Sequence, residues 1–150
     1  MNVTEFREKV KPGATLLVAG QSYTVEQVVT FRMDDGSENI KCFLIDEHVF
    51  ADDLAQNSYF LGKKVETPYV EPFPPRVSFE GKELEFLYTA HETAIASVGK
   101  EIYKNGESEW FWDYQAEDGS YLSIGTEDST RERWDCFGKI IQPDEVQFKE

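Results

Sequence analysis

Cysteine is scarce in this chain. Its 150 residues hold two, Cys42 and Cys136, which lie 94 positions apart with no paired spacing around either. That excludes a disulfide framework; two reduced thiols in buried strand segments are expected. Long apolar runs are also missing. The longest, Leu16 to Ala19 and Val28-Val29 with its neighbours, fall far short of the roughly 20 residues that cross a bilayer. Met1 to Lys11 is charged and amphipathic, without the run of about 7 to 15 apolar residues that a signal peptide needs. A cytoplasmic protein with no membrane span is therefore expected. Positive charge is in deficit too: 15 Lys and Arg stand against 29 Asp and Glu, for a net charge of -14. A phosphate backbone would be repelled by such a surface, which argues against nucleic acid as a partner. The ten glycines never fall within four residues of one another, so phosphate loops and nucleophile elbows are absent, as is the two-His zinc helix. No catalytic residue, cofactor or metal ligand is assigned.

What is present describes a globular chain. Apolar residues make up 40% and aromatic residues 14%, enough for one domain, residues 1–150, that buries about 70% of its unfolded surface. A short N-terminal helix is predicted from Thr4 to Val10, with Thr4 as cap and Pro12-Gly13 as stop. The pattern then turns to period two. Strands are expected over Thr15 to Val18, Tyr23 to Phe31, Ile40 to Ile45 and His48 to Ala51, reversing at Gly20-Gln21, Asp35-Gly36 and Asp46-Glu47. Thr67 to Pro75 holds four of the six prolines, which deny it ladder donors. Its Tyr69, Val70 and Phe73 mark it as a strap packed on the body. Beyond it the order recurs: Arg76 to Phe79, Leu84 to Ala94, Trp110 to Gln115 and Ser120 to Ile124, turning at Gly81-Lys82 and Asp118-Gly119. Aligning Gly20 with Gly81 puts Tyr23 over Leu84 and Val25 over Phe86, and further on Phe43 over Tyr114 and Phe50 over Leu122, with an insertion near Ser97 to Glu107. The expected architecture is mainly β: antiparallel meanders in two similar halves, residues 14–66 and 76–141, joined by the Pro-rich strap 67–75. They form a sandwich or a partly open barrel, each half unable to bury both sheet faces alone.

One set of motifs, in this order, carries a family likeness: Lys11-Pro12-Gly13, Gly20 to Val25, Val77 to Leu87, Thr93-Ala94, Trp112-Asp113-Tyr114, Tyr121 to Ile124 and Gly138-Lys139-Ile140. Over Lys11 to Val146 the chain resembles the bacterial domain-of-unknown-function family 4178. It departs at Asn39-Ile40, where that family often has Trp, and at Gly125-Thr126, where it often has Glu followed by an aromatic. The resemblance implies a mainly β, cytoplasmic bacterial protein and supplies no activity and no site residues.

The densest feature is Trp110-Phe111-Trp112-Asp113-Tyr114. On a strand it sets Trp110, Trp112 and Tyr114 on one face and Phe111, Asp113 and Gln115 on the other. The Trp face serves either as a packing element or, open beside Tyr121 and Trp134, as a binding platform. Asp113, shielded on the opposite face, calls for a partner, for which Arg131 or Arg133 is at hand. Asp52-Asp53 and Glu127-Asp128 each close a hairpin and read as solvated edges, since no spaced cation loop surrounds them. His48 and His91 have no ligand spacing, and nothing places either beside a cysteine as a catalytic pair.

These residues favour a non-catalytic interaction or scaffold module that meets a protein partner through a strand edge or an aromatic patch. The candidate binding residues are Trp110, Trp112, Tyr114, Tyr121, Glu127, Asp128 and Trp134. A basic partner suits the charge, -5 over residues 1–75 and -9 over residues 76–150, and an edge strand is compatible with a homo-oligomer. The alternative is a ligand pocket inside a barrel lined by Trp and Phe; a carboxylate-based hydrolase using Asp113 or Glu127 ranks third. A concave pocket open to solvent favours the ligand, and a filled interior with a free edge favours the partner.

Overall fold

The computed structural model describes residues 1–149. The chain opens with helix α1 (Val3–Lys9), capped by the Asn2 side chain, which accepts the Glu5 N–H at 2.8 Å. The cap therefore lies two residues before Thr4, a shift that turns Val3 and Phe6 onto the sheet, where both are buried. Eleven strands follow: β1 (Thr15–Val18), β2 (Gln21–Met33), β3 (Glu38–Leu44), β4 (His48–Asp53), β5 (Ser58–Val65), β6 (Arg76–Phe79), β7 (Lys82–Gly99), β8 (Ser108–Ala116), β9 (Ser120–Glu127), β10 (Asp135–Ile141) and β11 (Val146–Phe148).

The ladder order β2-β3-β4-β5-β10-β9-β8-β7 returns to β2 through a second pairing of β2 with β7. Eight antiparallel strands thus close a barrel, which is compatible with the sandwich or partly open barrel expected from sequence and fixes the closure that expectation left open. The length of β2 and β7 makes this closure work. The first residues of β2 pair with β1, which holds β11, and those of β7 pair with β6; their later residues pair with each other across a bulge at Thr30/Phe31. Closure also demands a close approach of β5 and β10, where Gly62 faces Gly138. A Cβ on Gly138 would stand 1.8 Å from the Leu61 carbonyl oxygen.

Turn chemistry is local and legible. Ala19-Gly20 and Glu80-Gly81 both place two residues at positive φ, the primed turn that suits strand twist. At Asp35-Gly36 and Asp118-Gly119 only the glycine is at positive φ, 91° in each, and its N–H bonds to the carbonyl three residues back. These are turns followed by a left-handed glycine rather than the primed pair expected from sequence.

Side-chain alternation divides the apolar residues among three clusters. Outside the barrel on one side, α1 packs Val3 and Phe6 against Cys42, Leu44, Phe50, Tyr59 and Ile141. On the other side the strap sets Tyr69 and Phe73 over Val77, Leu84, Tyr114, Leu122 and Ile124. The third cluster lies in the lumen, with Val29, Phe31, Phe43, Val49, Ala94, Tyr103 and Cys136. Phe43 therefore points inward and Tyr114 outward, so the outward match for Tyr114 is Cys42, one residue earlier.

Candidate functional site

The lumen is filled at one end only. The segment 100–107 between β7 and β8 folds back under the barrel, held by the buried Gln27 side chain: its amide accepts the Tyr103 N–H at 2.8 Å and donates to the Tyr103 carbonyl at 2.8 Å. This drives the Tyr103 ring into the floor against Phe31, Phe43 and Trp134. Above the floor a cavity of about 540 Å³ opens toward the rim made by the β2–β3 hairpin, the end of β4 and the start of β5. That volume suits one small organic ligand.

Polar groups inside the cavity sit in two stations. Near the floor, Lys41 of β3 stands 3.2 Å from Glu109 of β8 and 3.5 Å from Glu92 of β7. Glu92 Oε1 and the Tyr103 hydroxyl are buried without a hydrogen-bond partner. Burial, then the nearby Glu109, pushes the Glu92 carboxyl well above the usual range against the pull of Lys41. Burial alone would lower the Lys41 ammonium, but Glu109 and Glu92 outweigh it and hold the amine charged. A charged ammonium is a hydrogen-bond donor and not a nucleophile. Cys136 nearby is equally inert, its thiol pushed up to about 12, chiefly by burial.

The upper station is Asp113. It accepts hydrogen bonds from the Tyr121 hydroxyl at 2.5 Å and the Ser123 hydroxyl at 2.6 Å. Burial raises its pKa more than those bonds lower it. No arginine reaches it, contrary to the sequence expectation. Arg133 instead grips Asp135 at 2.8 and 3.0 Å, and Arg131 faces Glu71 at 3.9 Å. Phe111 lies between the stations on β8, since alternate residues Glu109, Phe111 and Asp113 share the inward face.

The seven residues singled out by sequence do not converge on one site. Tyr121 and Trp134 line the lumen, and Glu127 stands behind Trp134, accepting its indole N–H at 2.9 Å. Tyr114 is fully buried beneath the strap, and Trp112 packs on Phe73. Trp110 is exposed on the outer wall beside His91. Asp128 is also outside, where it and Asp34 each lie 2.8 Å from a ring nitrogen of His91. The barrel wall thus separates Trp110 and Trp112 from Tyr121 and Trp134, and no shared platform forms. Asp52 is a rim clamp: Arg7 of α1 meets it with two bonds, at 2.7 and 3.0 Å.

Lys41, Glu92, Glu109 and Tyr103 escaped the sequence reading. Alternation gave a signal for Glu109, two residues from Phe111 on the Asp113 face. Among the described residues, no three His, Cys, Asp or Glu side chains gather as metal ligands, and no helix is long and apolar enough to cross a membrane. No family model, curated protein or solved structure matches the chain.

Proposed function

We propose that this protein binds a small organic ligand in the lumen of its barrel. The observation that carries the reading is the 540 Å³ cavity, closed below by Tyr103 and open at the rim, with polar groups fixed among aromatic walls. The alternative of a protein partner docking on a strand edge draws less support. Closure leaves β6 and β11 at the ends of the ladder, four and three residues long. Hydrolysis draws less still, because both oxygens of Asp113 are held by hydroxyls and Glu127 is held by Trp134. The likeness to domain-of-unknown-function family 4178 belongs to this proposal as a fold-level relation that contributes no chemistry.

The test is to fill the lumen. Wild type should bind the neutral fluorescent probe N-phenyl-1-naphthylamine with saturation, and Ala51→Trp, a lumen position, should lose at least about tenfold in affinity while its circular dichroism stays native. Equal binding by both proteins would place the probe elsewhere and end the reading.

A further inference from the structure

Charge in the cavity is out of balance. Among the described residues, its lining holds two cations, Arg7 and Lys41, against six carboxylates. At the rim Arg7 is already committed to Asp52, and Glu38 is paired with Arg32 at 3.0 Å, so the uncompensated buried carboxylates lie deeper. Lys41 is shared between Glu92 and Glu109 and reaches Glu92 through Oε2 alone. Two acceptors at the floor remain unmet, Glu92 Oε1 and the Tyr103 hydroxyl oxygen, on side chains that are 1% and 2% exposed. Asp113 has hydroxyl donors but no ion-pair partner. Buried polar atoms are normally paired, and a buried carboxylate normally has a cation. What is missing here is one positively charged group with several N–H donors. The aromatic walls add to this, since ring faces attract cations.

We propose that the ligand is a protonated primary amine on an aromatic or aliphatic body. This rests on the lumen-binding reading above. As the cation enters, Glu92 gives up the proton it shares with neighbouring Glu109; the ammonium then donates to Glu92 Oε1 and to the Tyr103 hydroxyl oxygen, and the body runs past Phe111 toward the rim. A quaternary ammonium has no N–H to give these two acceptors, and an anion would meet the carboxylates with like charge. Asp113 acts on the ligand through its field.

Calorimetric titration of the intact protein with 2-phenylethylamine, 2-phenylethanol, phenylacetate and phenylethyltrimethylammonium tests the assignment on one aromatic body. Wild type should bind the primary amine at least about tenfold tighter than the alcohol or the quaternary analogue, with phenylacetate weakest. Glu92→Gln should cut amine affinity by about tenfold and leave the alcohol within about twofold, and Asp113→Asn should cut the amine by about threefold. If Glu92→Gln does not fold, Asp113→Asn and the wild-type series decide. Alcohol, acid or quaternary analogue binding as well as the amine would overturn the amine assignment and leave the pocket standing. So would an amine preference that survives both substitutions. Silence from all four compounds, together with no saturable naphthylamine binding, would remove the pocket reading as well.

Discussion

The outer faces of the barrel and its lumen are lined by alternate residues of the same strands, yet they settle their buried groups in opposite ways. Outside, aromatic side chains pack closely, with Phe6, Phe50 and Tyr59 edge-on or stacked at 4.8 to 5.5 Å, and one buried atom, His48 Nδ1, lacks a partner. Asp135 there has Arg133, and at the rim Asp52 has Arg7. Inside, one lysine serves two glutamates, an aspartate is held by hydroxyls, and three buried oxygens, on Asn39, Glu92 and Tyr103, have no partner. Such a lumen costs stability. The outer clusters supply the stability that lets the interior stay unsatisfied.

Removing an outer aromatic should break the fold most. Phe50→Ala deletes a fully buried ring in the α1 cluster, so chemical denaturation should report a loss of about 3–5 kcal/mol. A loss under about 1 kcal/mol would mean that the outer face does not carry the barrel. Next comes the seam. Gly138→Ala drives a methyl group into the Leu61 carbonyl, and β5 and β10 must separate, at about 2 kcal/mol. Gly119→Val should cost about 1 kcal/mol or more, because a β-branched residue is strained at a φ of 91°. An unchanged melting temperature would show that this hairpin can adopt another turn.

The lumen should behave in the opposite sense. Glu92 has its folded pKa raised by burial, so the folded state holds a proton that the unfolded state releases, and wild-type stability falls as pH climbs from the ordinary carboxyl range toward the raised value. Glu92→Gln should remove that fall and change stability at neutral pH by less than about 1 kcal/mol. A large loss would show that the carboxylate is structural. The smallest effect belongs to His91. Burial lowers its pKa, but Asp128 and Asp34 outweigh it and raise the pKa above the ordinary value. The contribution of this clamp is therefore complete below about pH 6.5 and fades as pH rises through the folded value. His91→Gln should erase a pH dependence of about 0.5 kcal/mol at most, read from melting curves between pH 6 and 8.

Much of the frame was legible because it is local. The antiparallel β class, β1 and β6, the order of hairpins and the packed strap all follow from alternation, Gly turns and prolines. Two strands of the barrel, β5 and β10, are not bounded by the sequence pattern. In Ser58–Val65 both Tyr59 and Phe60 face packed surroundings, one outside and one inside, so alternation vanishes. In Asp135–Ile141 the sequence shows a buried strand segment around Cys136 but not its bounds or pairing, because the Gly138 that closes the seam interrupts the pattern. Without β5 and β10 the closure could not be drawn, and the choice between sandwich and barrel stayed open. The lumen charges were hidden for a related reason. Lys41, Glu92 and Glu109 are 51 and 68 positions apart when counted from the lysine, and only a closed ring brings them together. In so acidic a chain, each taken alone reads as solvated surface.

Gln27 pins the Tyr103 plug at one end of the lumen, and the cavity opens toward the rim at the other. On the ligand-binding proposal, a guest that enters between the β2–β3 hairpin and the end of β4 leaves past the same rim. The time it stays is then set by the rim, where Arg7 ties α1 to Asp52 and to the Glu38 carbonyl. On that proposal, residues remote from the floor, on a helix of seven residues, govern escape without helping to hold the guest.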